Sequence, residues 1–260
     1  IHFSSGIESS LMLQPRNLII VDENSQLQII ERHQNLNENE VLTNSVTEIF
    51  VNPKSIVDYY KIQNDNKQAS LIDTTSIIQE NNSVCTLHTF SFGGKLTRNN
   101  LTFSQKGEHI ESIMKGITII EEKQHVDHNT LVHHIKPNCE SHQDYKGIFD
   151  DSSTGVFNGT VVVEKEAQKT NAFQSSKALL LSNEASINSK PQLEVCNQAG
   201  DNTSCCVVRL INTFDLKIAI NHVALDLYKS VICNLVLCRH VVAHVIVLSE
   251  LIFFISTVLN

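Results

Sequence analysis

Apolar residues in this chain come in short runs cut by polar turns, and over the first 195 residues they never recur at helical spacing. Leu18–Val21 and Gln26–Ile30 are two such runs joined by Asp22-Glu23-Asn24-Ser25, which reads as strand, turn, strand. After a polar loop at Gln34–Glu40, Asn44–Val51 and Ile56–Ile62 read as strands, and Ser70–Ile78 follows the polar stretch Gln63–Gln68. From Val84 the rhythm is regular. Strands are predicted at Thr86–Ser91, Leu101–Ser104, Ile117–Ile120, Leu131–Ile135, Tyr145–Phe149, Gly159–Val163, Ala178–Leu181 and Gln192–Val195. Gly93-Gly94, Lys106-Gly107, Pro137-Asn138, Asp150–Ser153 and Asn183-Glu184 supply the turns between them.

Short strands recurring about every 8–14 residues, with no amphipathic helix between them, place the chain in the all-β class and disfavour an α/β fold. A sandwich, a barrel and a β-solenoid all share this rhythm. Few of the turns fit two-residue hairpins, which favours a solenoid of stacked rungs, yet no crisp repeat of residue identities supports it. On pattern alone, solenoid and sandwich rank equally.

Composition narrows the function. A formal charge of −8 and the absence of any basic run argue against a nucleic-acid-binding face. The chain opens on Ile1 with no leader-like segment, so a fragment of a longer protein is expected. Only Cys85 and Cys139 precede residue 195, which suits an intracellular protein without a disulfide framework, whereas Cys196, Cys205, Cys206, Cys233 and Cys238 follow it. The character of the sequence changes there. After Gly200 neither Gly nor Pro occurs, and Val241–Leu259 holds 13 Val, Ile, Leu or Phe residues. At about −0.3 to −0.6 kcal/mol each, these outweigh a central Glu250 at about +3 kcal/mol, so this window has the hydropathy to enter a bilayer.

The most conspicuous chemistry is His125, His128, His133, His134, Cys139 and His142, since five of the 12 histidines fall within this one stretch. Imidazole and thiolate suit Zn or Fe, which makes His125, His128, His133 and His142 candidate metal ligands. The spacing matches no common closed zinc template, and on a strand His133 and His134 point to opposite faces. Ordinary hydrogen-bonding histidines are therefore the expected reading, with a stand-alone metalloenzyme built on this cluster as the alternative function. Asp150-Asp151 and Glu121-Glu122 read as solvated turn carboxylates. There is no G-x-S-x-G, and Gly93-Gly94 lacks the Lys-Ser/Thr of a phosphate loop. No catalytic residue is assigned. Phe90, Phe92, Phe103, Phe149, Phe157 and Phe173 read as core residues, because a base-stacking platform would need accompanying positive charge.

Several blocks resemble the SufB/SufD family, the scaffold proteins of the SUF iron–sulphur assembly machinery, in the order that family shows. They are QPRNLIIVDENSQLQIIERH (14–33), TNSVTEIFV (43–51), VDYYKIQND (57–65), HTFSFGGKLTRNNLTF (88–103), VDHNTLVHHIKPNCESHQDYKGIF (126–149) and the β-rich stretch Thr154–Val195. The likeness is closer to the SufD branch than to SufB. It implies a right-handed parallel β-helix over 1–195, here lacking the family's helical N- and C-terminal domains. It also implies a non-enzymatic, cytoplasmic scaffold that pairs with SufB through the β-helices, while the ATPase SufC binds the C-terminal domain. The complex, rather than this chain, would assemble the cluster, with no cofactor held stably here and no membrane association. In such a family the strand at Lys190, Pro191, Gln192, Leu193, Glu194 and Val195 leads into a Cys-x-His element at the SufB–SufD interface, so these six residues become the expected partner interface.

The resemblance ends at 195, where the chain continues as CNQAGDNTSCCVVRL. Cys238-Arg239-His240 keeps the Cys-x-His spacing without the surrounding residues, and no role is carried over to it. The apolar segment 196–260 is expected to be a frameshift, misjoined or read-through sequence, helical if it orders at all. A membrane anchor and a divergent C-terminal domain are the alternatives. If that tail is not native, the rung at Gln192–Val195 lies uncovered and invites association.

Overall fold

The computed structural model describes residues 10–35, 38–195, 207–211 and 215–216. Numbered in chain order, its strands divide between two sheets. Sheet A contains β1 (Leu11–Leu13), β2 (Arg16–Val21), β4 (Val41–Val51), β6 (Ser70–Gln79), β8 (Leu96–Gln105), β10 (His125–His134), β12 (Thr154–Val163) and β14 (Ser186–Val195). Sheet B contains β3 (Gln26–His33), β5 (Ile56–Gln63), β7 (Val84–Ser91), β9 (Glu111–Ile120), β11 (Glu140–Phe149), β13 (Asn171–Leu180), β15 (Val207–Ile211) and β16 (Asp215–Leu216). Every pairing is parallel, and from β2 to β15 each skips one strand in sequence, so the chain alternates between the sheets and winds a parallel β-solenoid, with β1 beside β4 and β16 beside β13 at its two ends. The register sets the length of each turn. Ser70 lies beside Leu96 and Thr154 beside Ser186, so a turn of sheet A takes between 26 and 32 residues.

No helix occurs among the described residues, and hence none there that is long and apolar enough to cross a membrane. The apolar window 241–259 and the Cys238–His240 spacing lie outside the described residues. Beyond residue 195, in the segment expected to be helical, β15 and β16 are strands that continue sheet B alongside β13.

The corners explain why short polar turns suffice. Asn24, Lys54, Asn82, His109, Asn138 and Lys169 take positive φ at successive passages from sheet A to sheet B, and the backbone amides of Asn24, Lys54, Asn82 and Asn138 carry the ladder around the bend. Asn24 N donates to Pro53 O, Lys54 N to Asn81 O and Asn82 N to Glu108 O, at 2.9–3.1 Å. Just inside this corner Ser55, Ser83, Ile110, Cys139 and Thr170 are each buried, stacked one per rung. On the opposite corner Gly94 sits at φ 78°, where a side chain would also press within 2.8 Å of the Gln63 amide.

Between the sheets an apolar column carries the packing. Ile49, Ile77, Phe103, Val132 and Val161 follow one another along sheet A, all buried, facing Tyr59, Leu87 and Met114 of sheet B. Inward glycines make room for rings: a Cβ on Gly116 would lie 2.1 Å from the Tyr145 ring, and one on Gly155 would lie 2.5 Å from Phe149. Of the six phenylalanines expected in the core, five are buried. Phe173 instead lies on the outer face of sheet B, stacked on His142 at 5.0 Å.

Candidate functional site

Strand alternation scatters the histidines. His125 and His133 project outward from β10, whereas His128 and His134 project into the lumen. His125 Nδ1 meets Thr154 Oγ1 at 2.5 Å, and His133 Nε2 meets Glu164 Oε1 at 2.7 Å. His128 bridges Thr118 Oγ1 at 2.9 Å and Asn99 Nδ2 at 3.2 Å. His134 Nε2 meets Ser141 Oγ at 2.9 Å. Burial holds both lumen imidazoles down at about 4, against an ordinary value of 6.5. His142 lies on the other sheet against Phe173. The Cys139 thiol turns into the corner column and donates to Gly107 O at 3.3 Å, and burial raises its pKa. Among the described residues no three His, Cys, Asp or Glu side chains converge as a metal site would require.

A charged network that the sequence reading missed occupies the lumen of the first turns. Lys61 on β5 points inward and pairs with Asp73 of β6, while its ammonium also donates to Thr75 Oγ1 at 2.7 Å and lies 3.8 Å from Glu31 Oε2. Ser45 donates to the other Asp73 oxygen, and the Tyr59 hydroxyl donates to Glu31. Side-chain exposure is 7% for Lys61 and 4% for Asp73, so this is an ion pair removed from water. Burial alone would raise the Glu31 carboxyl. The His33 hydrogen bond, the Lys61 charge and the Tyr59 hydroxyl outweigh it and hold the group at about 2. Burial and the Glu31 charge push the Tyr59 phenol well above its ordinary value. The available signal was the parity of Lys61 and Asp73: each shares its side of the strand with apolar core neighbours, Val57 and Tyr59 on β5, Leu71 and Ile77 on β6.

Further along, the lumen is polar but uncharged. Thr130 Oγ1 donates to Gln143 Oε1 at 2.6 Å, and Gln174 Nε2 donates to the same oxygen at 3.2 Å. Gln79 and Gln105 share Ser112, with Gln105 Nε2 reaching Ser112 Oγ at 2.8 Å and Ser112 Oγ reaching Gln79 Oε1 at 2.5 Å.

The expected partner interface lies on β14, which closes sheet A among the described residues. Lys190 and Glu194 are exposed on the outer face, and Gln192 there accepts from Thr160 Oγ1 at 3.2 Å. Leu193 continues the inward column of Val132 and Val161 yet is 41% exposed, because no described strand lies over it. Pro191 is half-buried in the same inward row, beside Gly159. Val195 ends the strand. The six residues thus form one continuous edge, with charge outside and apolar surface within.

Comparison with known proteins gives one concordant result. Residues 3–203 match the family described as "SUF system FeS cluster assembly, SufBD core domain". An iron–sulphur cluster assembly SufBD family protein of Synechocystis sp. is 32% identical over 203 residues, which cover 75% of this chain and 44% of that protein. The chloroplastic protein ABCI7 of Arabidopsis thaliana is 31% identical over 183 residues, 70% of this chain and 38% of its own length. The iron–sulphur cluster assembly protein SufD of Escherichia coli is 24% identical over 196 residues, 75% of this chain and 46% of its own length. The chain therefore spans less than half the length of each of these relatives.

Proposed function

Because the chain belongs to the SufBD core-domain family of the SUF iron–sulphur cluster assembly system, we propose that it is the β-solenoid core of a SufD-type scaffold subunit in a SufB–SufC–SufD complex. In this reading it pairs with SufB through the terminal rung at Lys190, Pro191, Gln192, Leu193, Glu194 and Val195. SufC binds a C-terminal domain of the longer family member and hydrolyses the ATP, so this core performs no bond-making step of its own. Iron and the nascent cluster are cargo of the assembled complex, and the setting is cytoplasmic.

The observation that carries the proposal is the family match over residues 3–203, which spans the solenoid through β14, the last described strand of sheet A. The shape of that rung supports it. An apolar inner row ending in the exposed Leu193, flanked by Lys190 and Glu194, offers a protein partner both hydrophobic area and charge registration.

Co-expression tests the proposal. The longest native form of this protein is expected to co-purify with SufB and SufC, and Lys190→Glu combined with Glu194→Lys is expected to weaken SufB retention at low salt. A native form that elutes free of both partners would contradict it.

A further inference from the structure

The inward face of sheet B carries a notch in the middle of the solenoid. In register, Lys61, Thr89, Gly116 and Tyr145 occupy successive rungs, all on the side that faces the lumen. Lys61 and Tyr145 are thus three rungs apart, about 14 Å at the usual strand spacing. Gly116 lets their side chains approach. The Tyr145 ring lies where a Gly116 side chain would stand, its Cδ1 2.1 Å from the position of a Cβ. The phenol therefore leans back over Gly116, toward Thr89 and the first turns.

A cavity of about 10 Å³ is lined by both Lys61 and Tyr145. Most of the remaining wall is polar, from Asp73, Thr75 and Asn99 on one side and Thr89 and Thr130 on others, with Leu87 and Leu101 among the few apolar groups. Tyr145 is 5% exposed and Thr89 6%. Among the described residues neither hydroxyl meets a protein partner, and burial alone raises the Tyr145 phenol above its ordinary value. A hydroxyl taken out of water with no partner is costly, and buried polar groups in folded chains are satisfied by protein or by ordered water. One water needs about 10–15 Å³ of open volume and two to four polar neighbours. The cavity supplies both. An ion suits it less, since a cation would meet the Lys61 ammonium and an anion would meet Asp73.

We propose that this cavity is a binding site for one ordered water, held between the hydroxyls of Tyr145 and Thr89, and that Gly116 is the residue that makes room for it. The water joins the two halves of the lumen. On its near side Lys61 pairs with Asp73 and donates to Thr75. On its far side Thr130 donates to Gln143 Oε1, which also accepts from Gln174. With the water in place, a single hydrogen-bonded path runs from Asp73 on β6 to Gln174 on β13. The inference rests on the lumen alone and is independent of the proposed SufB interface.

Two measurements on the full 260-residue chain test it. A crystal structure of the wild type is expected to show one water-sized peak within hydrogen-bond distance of Tyr145 Oη and Thr89 Oγ1. An empty cavity overturns the inference, whatever the variants do. In solution, magnetic relaxation dispersion of water counts the long-lived internal molecules. Tyr145→Phe combined with Thr89→Val is expected to lose one of them, whereas Thr102→Val, which removes an outer-face hydroxyl of β8, is expected to lose none. An unchanged count in the double variant, or the same loss in Thr102→Val, overturns the assignment. Tyr145→Phe alone retains the ring over Gly116, and its crystal structure is expected to keep the cavity with a weaker or absent peak. An equally strong peak there would remove Tyr145 from the site.

Discussion

The first and last turns of the solenoid solve the same problem with different chemistry. In the first turns, two carboxylates and an ammonium are buried together: Glu31 and Asp73 around Lys61, with Tyr59, Ser45 and Thr75 completing their hydrogen bonds. In the later turns the equivalent space holds Thr130, Gln143 and Gln174, joined without charge through Gln143 Oε1, while Gln143 Nε2 and Gln174 Oε1 stay buried without a partner. The edges differ in the same way, with Arg16 compensating a Pro15 whose backbone is turned toward β4, while Pro191 turns its backbone away from β12 and breaks no bond of that pairing. The near end depends on charged groups that must stay paired. Among the described side chains the far end is neutral inside and carries its charge on the outer face, at Lys190 and Glu194.

The largest expected effect follows from that contrast. Lys61→Ala leaves Asp73 and Glu31 buried without their cation and should cost about 3–5 kcal/mol, read from denaturant unfolding. Replacing the pair together, Lys61→Met with Asp73→Leu, should recover most of the loss. If both variants lose equally, the network is held by packing and not by charge. Gln174→Leu, its counterpart at the neutral end, should cost about 1 kcal/mol, the value of one net hydrogen bond.

Acid should separate two sets of groups. His88, His128 and His134 are held near 4 by burial, below their ordinary 6.5, so the unfolded chain binds more protons than the folded one between those values. Their contribution is complete above pH 6.5 and is lost as pH falls toward 4. Glu31, held at about 2 against 4.5, contributes above 4.5 and loses that contribution as pH falls toward 2. Stability should therefore decline in two stages, and His134→Gln should flatten only the upper one, as followed by circular dichroism. A single transition below pH 4 would show that the lumen histidines contribute nothing.

The smallest effect concerns the near edge. Arg16→Ala should cost about 1 kcal/mol by leaving Asn44 O without its donor, and Pro15→Ala should make Arg16 dispensable by restoring a backbone N–H. Additive losses in that double-mutant cycle would break the link between the two residues.

What the sequence disclosed and what it hid follow the same physical line. The apolar half of each later strand was legible: Ile117–Ile120 and Tyr145–Phe149 fall on strands, and Ala178–Leu181 overshoots the end of β13 by one residue. The preceding halves were not, because their inward positions are Ser112, Ser141, Gln143 and Gln174, which read as loop until the lumen is known to be polar. Gly94 and Asn138 announced their corners, whereas Glu122 and Lys169 take positive φ under the constraint of neighbouring rungs, with no such residue preference. Pattern alone left solenoid and sandwich tied, since parallel pairing between strands a full turn apart leaves no local mark, and the family resemblance broke the tie. The β14 residues were located by that resemblance as well. The direction in which Pro191 faces depends on register, which only the structure supplies.

The contrast between the two ends is tested most directly by photo-crosslinking from defined positions. A crosslinker placed at Lys190, on the outer face of the last rung, is compared with one at Leu18, on the first rung, with SufB co-expressed. The account predicts SufB adducts from position 190 and none from position 18. Adducts from position 18 alone, or from neither position, would contradict it.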